Sequence, residues 1–196
     1  MKAKLHISPL FFGITGFYIL ADGTIYIVYI ILSALLHEAA HIWMIKRSGE
    51  GVKSIDMKPF GVNIILKEDH ILSYKREILI SLAGPLVNLA VATIFLLINK
   101  FIYYSEAGMF ISLINFALAG VNMLPIYQLD GGRIIKNLLL MKLEPSTADK
   151  ICFLISIACL TPILYIGGIL LYKTGHNFSL LIIGFYLLIC LVIKSN

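Results

Sequence analysis

His37, Glu38 and His41 stand within five positions of an otherwise apolar run, with Leu35-Leu36 before them and Ile42-Trp43 after. An ionisable group at the centre of such a run costs about 2.5–3.5 kcal/mol to insert into a bilayer, so three together demand a compensating role. On a helix, positions i and i+4 share a face, so both imidazoles can bind one cation, and Glu38 stands beside the open coordination position where a water would sit. The bland alternative is a polar helix–helix contact between buried histidines. Two imidazoles do not complete a catalytic zinc site, which generally takes three protein ligands. The remaining candidates inside or at the border of an apolar run are Asp130, His6 and Glu106. Asp130 has the context for it. It lies in Asn122-Met123-Leu124-Pro125-Ile126-Tyr127-Gln128-Leu129-Asp130-Gly131-Gly132, where Pro125 disrupts a helix and the two glycines permit a sharp local backbone that can aim a carboxylate sideways. Asp-Gly-Gly alone is a common turn. Depth adds to it: at 1.5 Å per residue, His41 and His37 lie roughly 8 to 14 Å beneath the border marked by Lys46, and Asp130, three residues before Arg133, lies near the same border.

The elements that must carry these residues follow from composition. The chain has 196 residues, 59% hydrophobic and 14% charged, with a mean hydropathy of +0.91. Soluble domains run at roughly 45–50% and a quarter, which excludes a water-soluble domain. The apolar residues form blocks close to the ~20 that a helix needs to cross a bilayer. Six spans are expected: Leu5 to Leu20, Ile25 to Ile45, Ile78 to Ile98, Met109 to Gln128, Ile151 to Tyr172 and Phe178 to Ile193, the last interrupted by Gly184. Asp22-Gly23-Thr24 forces the first two into an antiparallel hairpin. No small-x-small cleavage pattern follows the first block, so it is expected to be retained. Alternating spans put fourteen of the sixteen Lys and Arg on one side, leaving Lys100 and Lys173 on the other. The positive-inside rule then assigns both termini to the cytoplasm of a cell-membrane protein, and the net charge of +5 reports orientation rather than nucleic-acid binding.

Between the second and third spans, Val52 to Met57 and Val62 to Leu66 flank Pro59-Phe60-Gly61 and read as a strand pair at the cytoplasmic surface. Ile134 to Met141 reads as a short interfacial helix or as a continuation of the fourth span. Cys152, Cys159 and Cys190 fall in apolar blocks and read as packing residues. His70 and His176 fall in loops, and Gly13 and Gly16 read as close-packing positions. The expected architecture is an all-α polytopic membrane protein of about six transmembrane helices, with a small cytoplasmic-side β-hairpin, in a single membrane-embedded domain over residues 1–196.

His37-Glu38-x-x-His41 in one span, with Asn122-x-x-Pro125-x-x-x-x-Asp130-Gly131 in a later one, resembles the site-2 protease family of M50-type intramembrane zinc metalloproteases. Ser81-Leu82-Ala83-Gly84-Pro85-Leu86-Val87-Asn88 looks like the Gly-Pro-x-x-Asn stretch of the intervening family helix. The opening Lys4-Leu5-His6-Ile7-Ser8-Pro9 and the Pro59-Phe60-Gly61 turn are similar to the stage IV sporulation FB subgroup. Many relatives carry a C-terminal cystathionine-synthase-like nucleotide-sensing domain or an inserted peptide-binding domain, and neither is read in these residues.

The resemblance implies an intramembrane zinc metalloendopeptidase with one Zn2+ held by His37, His41 and Asp130, and Glu38 as general base. Asn122, three residues before Pro125, is expected to donate a hydrogen bond to substrate backbone or oxyanion, with helix–helix contact as the bland alternative. The implied partner is a membrane-tethered protein, in the nearest subgroup a sporulation sigma-factor precursor. It must be unwound to expose a peptide bond, and the strand pair would clamp it by strand addition. Membrane-protein inhibitors and a homo-oligomer are the other partner classes implied. A metal-binding or metal-transporting membrane protein without protease activity is the competing class, but it would not need Glu38 between the histidines. A protease type completing its site through E-x-x-x-D fits poorly, because Glu144 and Asp149 are five apart in a polar loop.

Overall fold

The computed structural model describes residues 4–7, 25–48, 52–58, 61–66, 73–176 and 178–195. Three strands, β1 (Lys4–Ile7), β2 (Val52–Lys58) and β3 (Gly61–Leu66), and six helices, α1 (Ile25–Arg47), α2 (Tyr74–Phe101), α3 (Glu106–Asn122), α4 (Asp130–Leu140), α5 (Pro145–Thr174) and α6 (Ser179–Ser195), are present among them. The chain divides into two compact units, Met1–Ala119 and Gly120–Asn196.

In the first unit, α1 and α2 are both long and apolar enough to cross a membrane. Lys46 and Arg47 close α1 and Lys100 closes α2, where cations meet the negative end of the helix dipole. α3, at 17 residues, is about 26 Å long and falls short of a hydrocarbon core of about 30 Å. The burial pattern is inverted relative to a soluble bundle: Ser33, His37, His41, Ser81, Asn88, Ser112 and Asn115 are buried, while Leu32, Ile94 and Leu113 are exposed. Polar groups turned inward and large aliphatics outward are what a lipid surround selects. The strands form one sheet in the order β1-β2-β3. β1 runs parallel to β2, from Lys4 opposite Ser54 to Ile7 opposite Met57, and β2 pairs antiparallel with β3, Ile55 opposite Ile64.

Three boundaries depart from expectation. Leu5 to Ile7, expected at the start of the first span, lie in β1; Lys4-Leu5-His6-Ile7 alternates polar and apolar residues, which is the strand period. The rest of that expected span and the Pro59-Phe60 pair lie outside the described residues. The fourth helix was expected to run to Gln128 but ends at Asn122, because the ring of Pro125 cannot follow the carbonyl four residues earlier in a helix. The Val121 carbonyl instead accepts the Leu124 N–H at 3.1 Å. The following helix begins at Asp130 rather than Ile134 and is separate from α3, because Asp130 and both glycines enter its first turn.

In the second unit, α5 is the one described helix long and apolar enough to span, and it ends at Gly175 in the left-handed conformation, φ 72°. Gly184 does not interrupt α6. A Cβ there would lie 2.7 Å from Leu164 Cδ2, so the glycine lets α6 lie close on α5. Ile126, Leu160, Leu187 and Leu191 form the buried core.

Tyr127 pins the loop between α3 and α4 twice. Its N–H donates to Ser156 Oγ at 2.9 Å, and its hydroxyl donates to Asp149 Oδ1 at 3.0 Å while accepting from Lys136 Nζ at 2.6 Å. Lys136 also pairs with Asp149 at 2.7 Å, tying α4 to α5. Burial lowers the pKa of the Lys136 ammonium, but its bonds to Asp149 and Tyr127 outweigh that and raise it above 10.5. A raised lysine pKa stabilises the fold below the unfolded value, and the contribution is lost as pH rises through the folded value. With both groups partly exposed, the pair contributes no more than about 1 kcal/mol. Lys136→Met should therefore lower the detergent-phase melting temperature at pH 8, and wild type and variant should converge above pH 10.5; a gap that is unchanged at high pH would contradict this.

Candidate metal centre

The HExxH spacing on α1 places Ser33, His37 and His41 on one buried stripe. α2 answers with a stripe of the same spacing: the Ile80 carbonyl, Gly84 and Asn88. His41 Nδ1 donates to the Ile80 carbonyl at 2.7 Å, and His37 Nδ1 meets Asn88 Oδ1 at 2.7 Å. A carbonyl oxygen only accepts, so a neutral His41 carries its proton on Nδ1 and its lone pair on Nε2. Asn88 presents its oxygen to His37 and fixes the same tautomer there. The two Nε2 atoms then face each other at 3.1 Å. Two nitrogens this close, each with its proton on the far side of the ring, are placed to share one cation. The donor set is soft enough for zinc, and each ring is oriented through its second nitrogen, as metal-binding imidazoles usually are.

Gly84 supplies the room. A Cβ on it would lie 2.5 Å from His41 Nε2 and 2.6 Å from both Cε1 and Nε2 of His37, so any side chain would occupy the space against the donor atoms. Pro85 has no N–H to offer the Ser81 carbonyl, which loosens the helix one turn from this contact. Glu38, one residue beyond His37, is half-buried.

Asp130 belongs to the second unit and is buried there, in the first turn of α4. A Cβ on Gly131 would strike the Met123 and Leu124 carbonyl oxygens, and one on Gly132 would strike the Ile126 carbonyl oxygen. The two glycines thus let the loop fold back onto the helix start that presents Asp130. Asn122 is half-buried at the end of α3. Of the other candidates, Glu106 is exposed at the start of α3, His176 is exposed, His6 lies in β1, and His70 lies outside the described residues.

Sequence reasoning missed three participants: Asn115 and Ser33 are bonded into the Asn88 system, and the Ile80 carbonyl holds His41. Asn115 left a signal, since an amide within the run Phe110 to Val121 needs a partner in hydrocarbon. Gly84→Ala should reduce zinc retained after purification by at least about tenfold, with helix content unchanged by circular dichroism. Full retention would show that the Gly84 space is not part of the centre.

A sequence profile of Peptidase family M50 matches residues 99–163, which include Asn122 and Asp130. Zinc metalloprotease MJ0392 of Methanocaldococcus jannaschii is 29% identical over 157 residues, covering 76% of this chain and 45% of that protein. Stage IV sporulation protein FB of Bacillus subtilis is 23% identical over 163 residues, 80% of this chain and 57% of that one. The putative peptide zinc metalloprotease protein YydH of Bacillus subtilis is 29% identical over 140 residues, 67% and 54%. The chain thus spans about half the length of the curated relatives it matches. Among solved structures, the site-2 protease from Methanocaldococcus jannaschii aligns with a TM-score of 0.71 at 22% identity, over 100% of this chain and 93% of that one, which shows the shared fold. Over residues 99–163, which hold Asn122 and Asp130, the chain is similar to Peptidase family M50, and over its whole length it shares the fold of that site-2 protease.

Proposed function

We propose that the chain is an intramembrane zinc metalloendopeptidase hydrolysing a peptide bond of a membrane-tethered protein near the cytoplasmic face. His37 and His41 hold one zinc ion through Nε2, and Asp130 supplies the third ligand. The observation that carries this reading is the facing pair of Nε2 atoms, each ring locked by an acceptor at Nδ1. The burial of all three candidate ligands supports it, since an uncompensated carboxylate and two imidazoles in apolar surroundings would be costly. The names of the relatives support the metal and the reaction class.

Zinc, when bound, supplies Lewis acidity toward a water and a peptide carbonyl. Glu38 accepts the proton released as the water oxygen bonds to the carbonyl carbon, then returns it to the amide nitrogen as the C–N bond breaks. Asn122 donates to the substrate backbone at the strained carbonyl. No acyl-enzyme forms, because the attacking oxygen comes from water. The unwound substrate needs partners for its backbone, and strand addition provides them. In the order β1-β2-β3 the middle strand is occupied on both sides, so among the described residues an edge for such a clamp belongs to β1 or β3. The resemblance of the motifs to the site-2 protease family carries the expectation of a membrane-tethered protein substrate, in the sporulation subgroup a sigma-factor precursor, with membrane-protein inhibitors and self-association as further partners. Both chain termini and the segment from Lys46 to Glu77 lie in the cytoplasm on this reading.

Glu38→Gln should abolish cleavage of a co-expressed membrane-tethered transcription factor, by about 10^3-fold or more, while zinc content stays near wild type. Cleavage by the purified variant would remove the proposed base, and metal uptake into vesicles without cleavage would favour transport. Lys46→Cys should react with membrane-impermeant maleimide only in inside-out vesicles; labelling of intact cells would reverse the orientation.

A further inference from the structure

Beyond the residues that would touch the metal or the substrate lies a chain of buried polar groups with a direction built into it. Asn115 Nδ2, on α3, is 2.9 Å from the carbonyl oxygen of Ile111 and 2.8 Å from Ser33 Oγ. The carbonyl can only accept, so the NH2 end of the Asn115 amide must lie there. Its oxygen then faces Asn88, and accepts from Asn88 Nδ2 at 2.8 Å. That in turn leaves Asn88 Oδ1 as the group facing His37 Nδ1 at 2.7 Å. Each amide has one sensible orientation once the preceding one is set, and all of the side chains are buried, Asn88 and Asn115 completely.

We infer that Asn115 is a positioning residue that fixes the proton of His37 on Nδ1, and so its lone pair on Nε2, through the Asn88 amide. The inference rests on His37 being a metal ligand, as proposed above. His41 needs no such relay, because the Ile80 carbonyl sets its tautomer directly. The two rings therefore reach the same state by different devices, one through a backbone carbonyl of α2 and the other through a backbone carbonyl of α3 transmitted across two side-chain amides. Without Asn115, nothing in this chain of bonds prevents Asn88 from turning its NH2 end toward His37. The ring would then accept at Nδ1 and carry its proton on Nε2, where it cannot bind a cation.

The test uses three full-length proteins: wild type, Asn115→Leu and Asn115→Asp. A buried, protonated aspartic acid can donate to the Ile111 carbonyl and still accept from Asn88, so it preserves the direction of the relay; leucine does not. In metal-free protein at pH 8, nitrogen-15 histidine spectra should show His37 as the Nδ1–H tautomer in wild type and Asn115→Asp, and a shift toward Nε2–H in Asn115→Leu. Zinc affinity, measured by competition with a chelator, should fall about 10- to 100-fold in Asn115→Leu and stay within about threefold of wild type in Asn115→Asp. The inference is overturned if Asn115→Leu keeps the wild-type tautomer, or if both variants lose affinity equally. Should Asn115→Leu fail to fold, Asn115→Ala takes its place with the same expectations. A wild type that takes up no zinc would sink the protease reading instead, while the metal-free spectra would still decide the relay.

Discussion

Two imidazole nitrogens facing each other at 3.1 Å, with both lone pairs directed inward, is the constraint on which the first unit depends. The arrangement is buried, each ring is held from behind, and Gly84 brings no side chain of its own against the donor atoms. The composition of both helices answers to this. α1 must bring histidines to one face four residues apart, and α2 must offer a carbonyl, a gap and an amide at the same interval.

The remaining polar groups follow from placing that centre among apolar helices. In lipid there is no hydrophobic force to press helices together, so association relies on close packing and on hydrogen bonds between them. Ser112 Oγ donates to the Ala92 carbonyl at 2.8 Å, and Asn115 bridges to Ser33 and Asn88. These bonds hold three helices together and orient the Asn88 amide that meets His37. The second unit solves a different problem, which is to present a carboxylate from an irregular segment. Pro125 stops α3, buried Ile126 anchors the loop in the core, Tyr127 ties it to α5, and Gly131-Gly132 let it double back on the turn that begins with Asp130.

Much of this was legible in the sequence. The HExxH interval, the Pro125 break and the paired glycines are local signals, and each has a direct structural counterpart. The helices around them followed from apolar blocks, although their ends did not. The helix end at Asn122 leaves little trace in the pattern, because the residues beyond it, through Gln128, are mostly apolar like those before. β1 is equally faint, because a four-residue strand has too few positions to outweigh the longer apolar run behind it. The bond made by Ile80 was not legible, because a backbone carbonyl carries no residue signature; Asn115 stood out as an amide in an apolar run, but its place two side chains away from His37 did not.

X-ray absorption at the zinc edge, on the purified protein, tests the central claim most directly. A single zinc per chain should show the multiple-scattering pattern of two imidazoles with nitrogen and oxygen neighbours at about 2.0–2.2 Å, and Asp130→Ala should change the oxygen shell while leaving the imidazole pattern in place. Sulfur scattering at about 2.3 Å, or a spectrum that is unchanged when His37 and His41 are both replaced by alanine, would contradict the account.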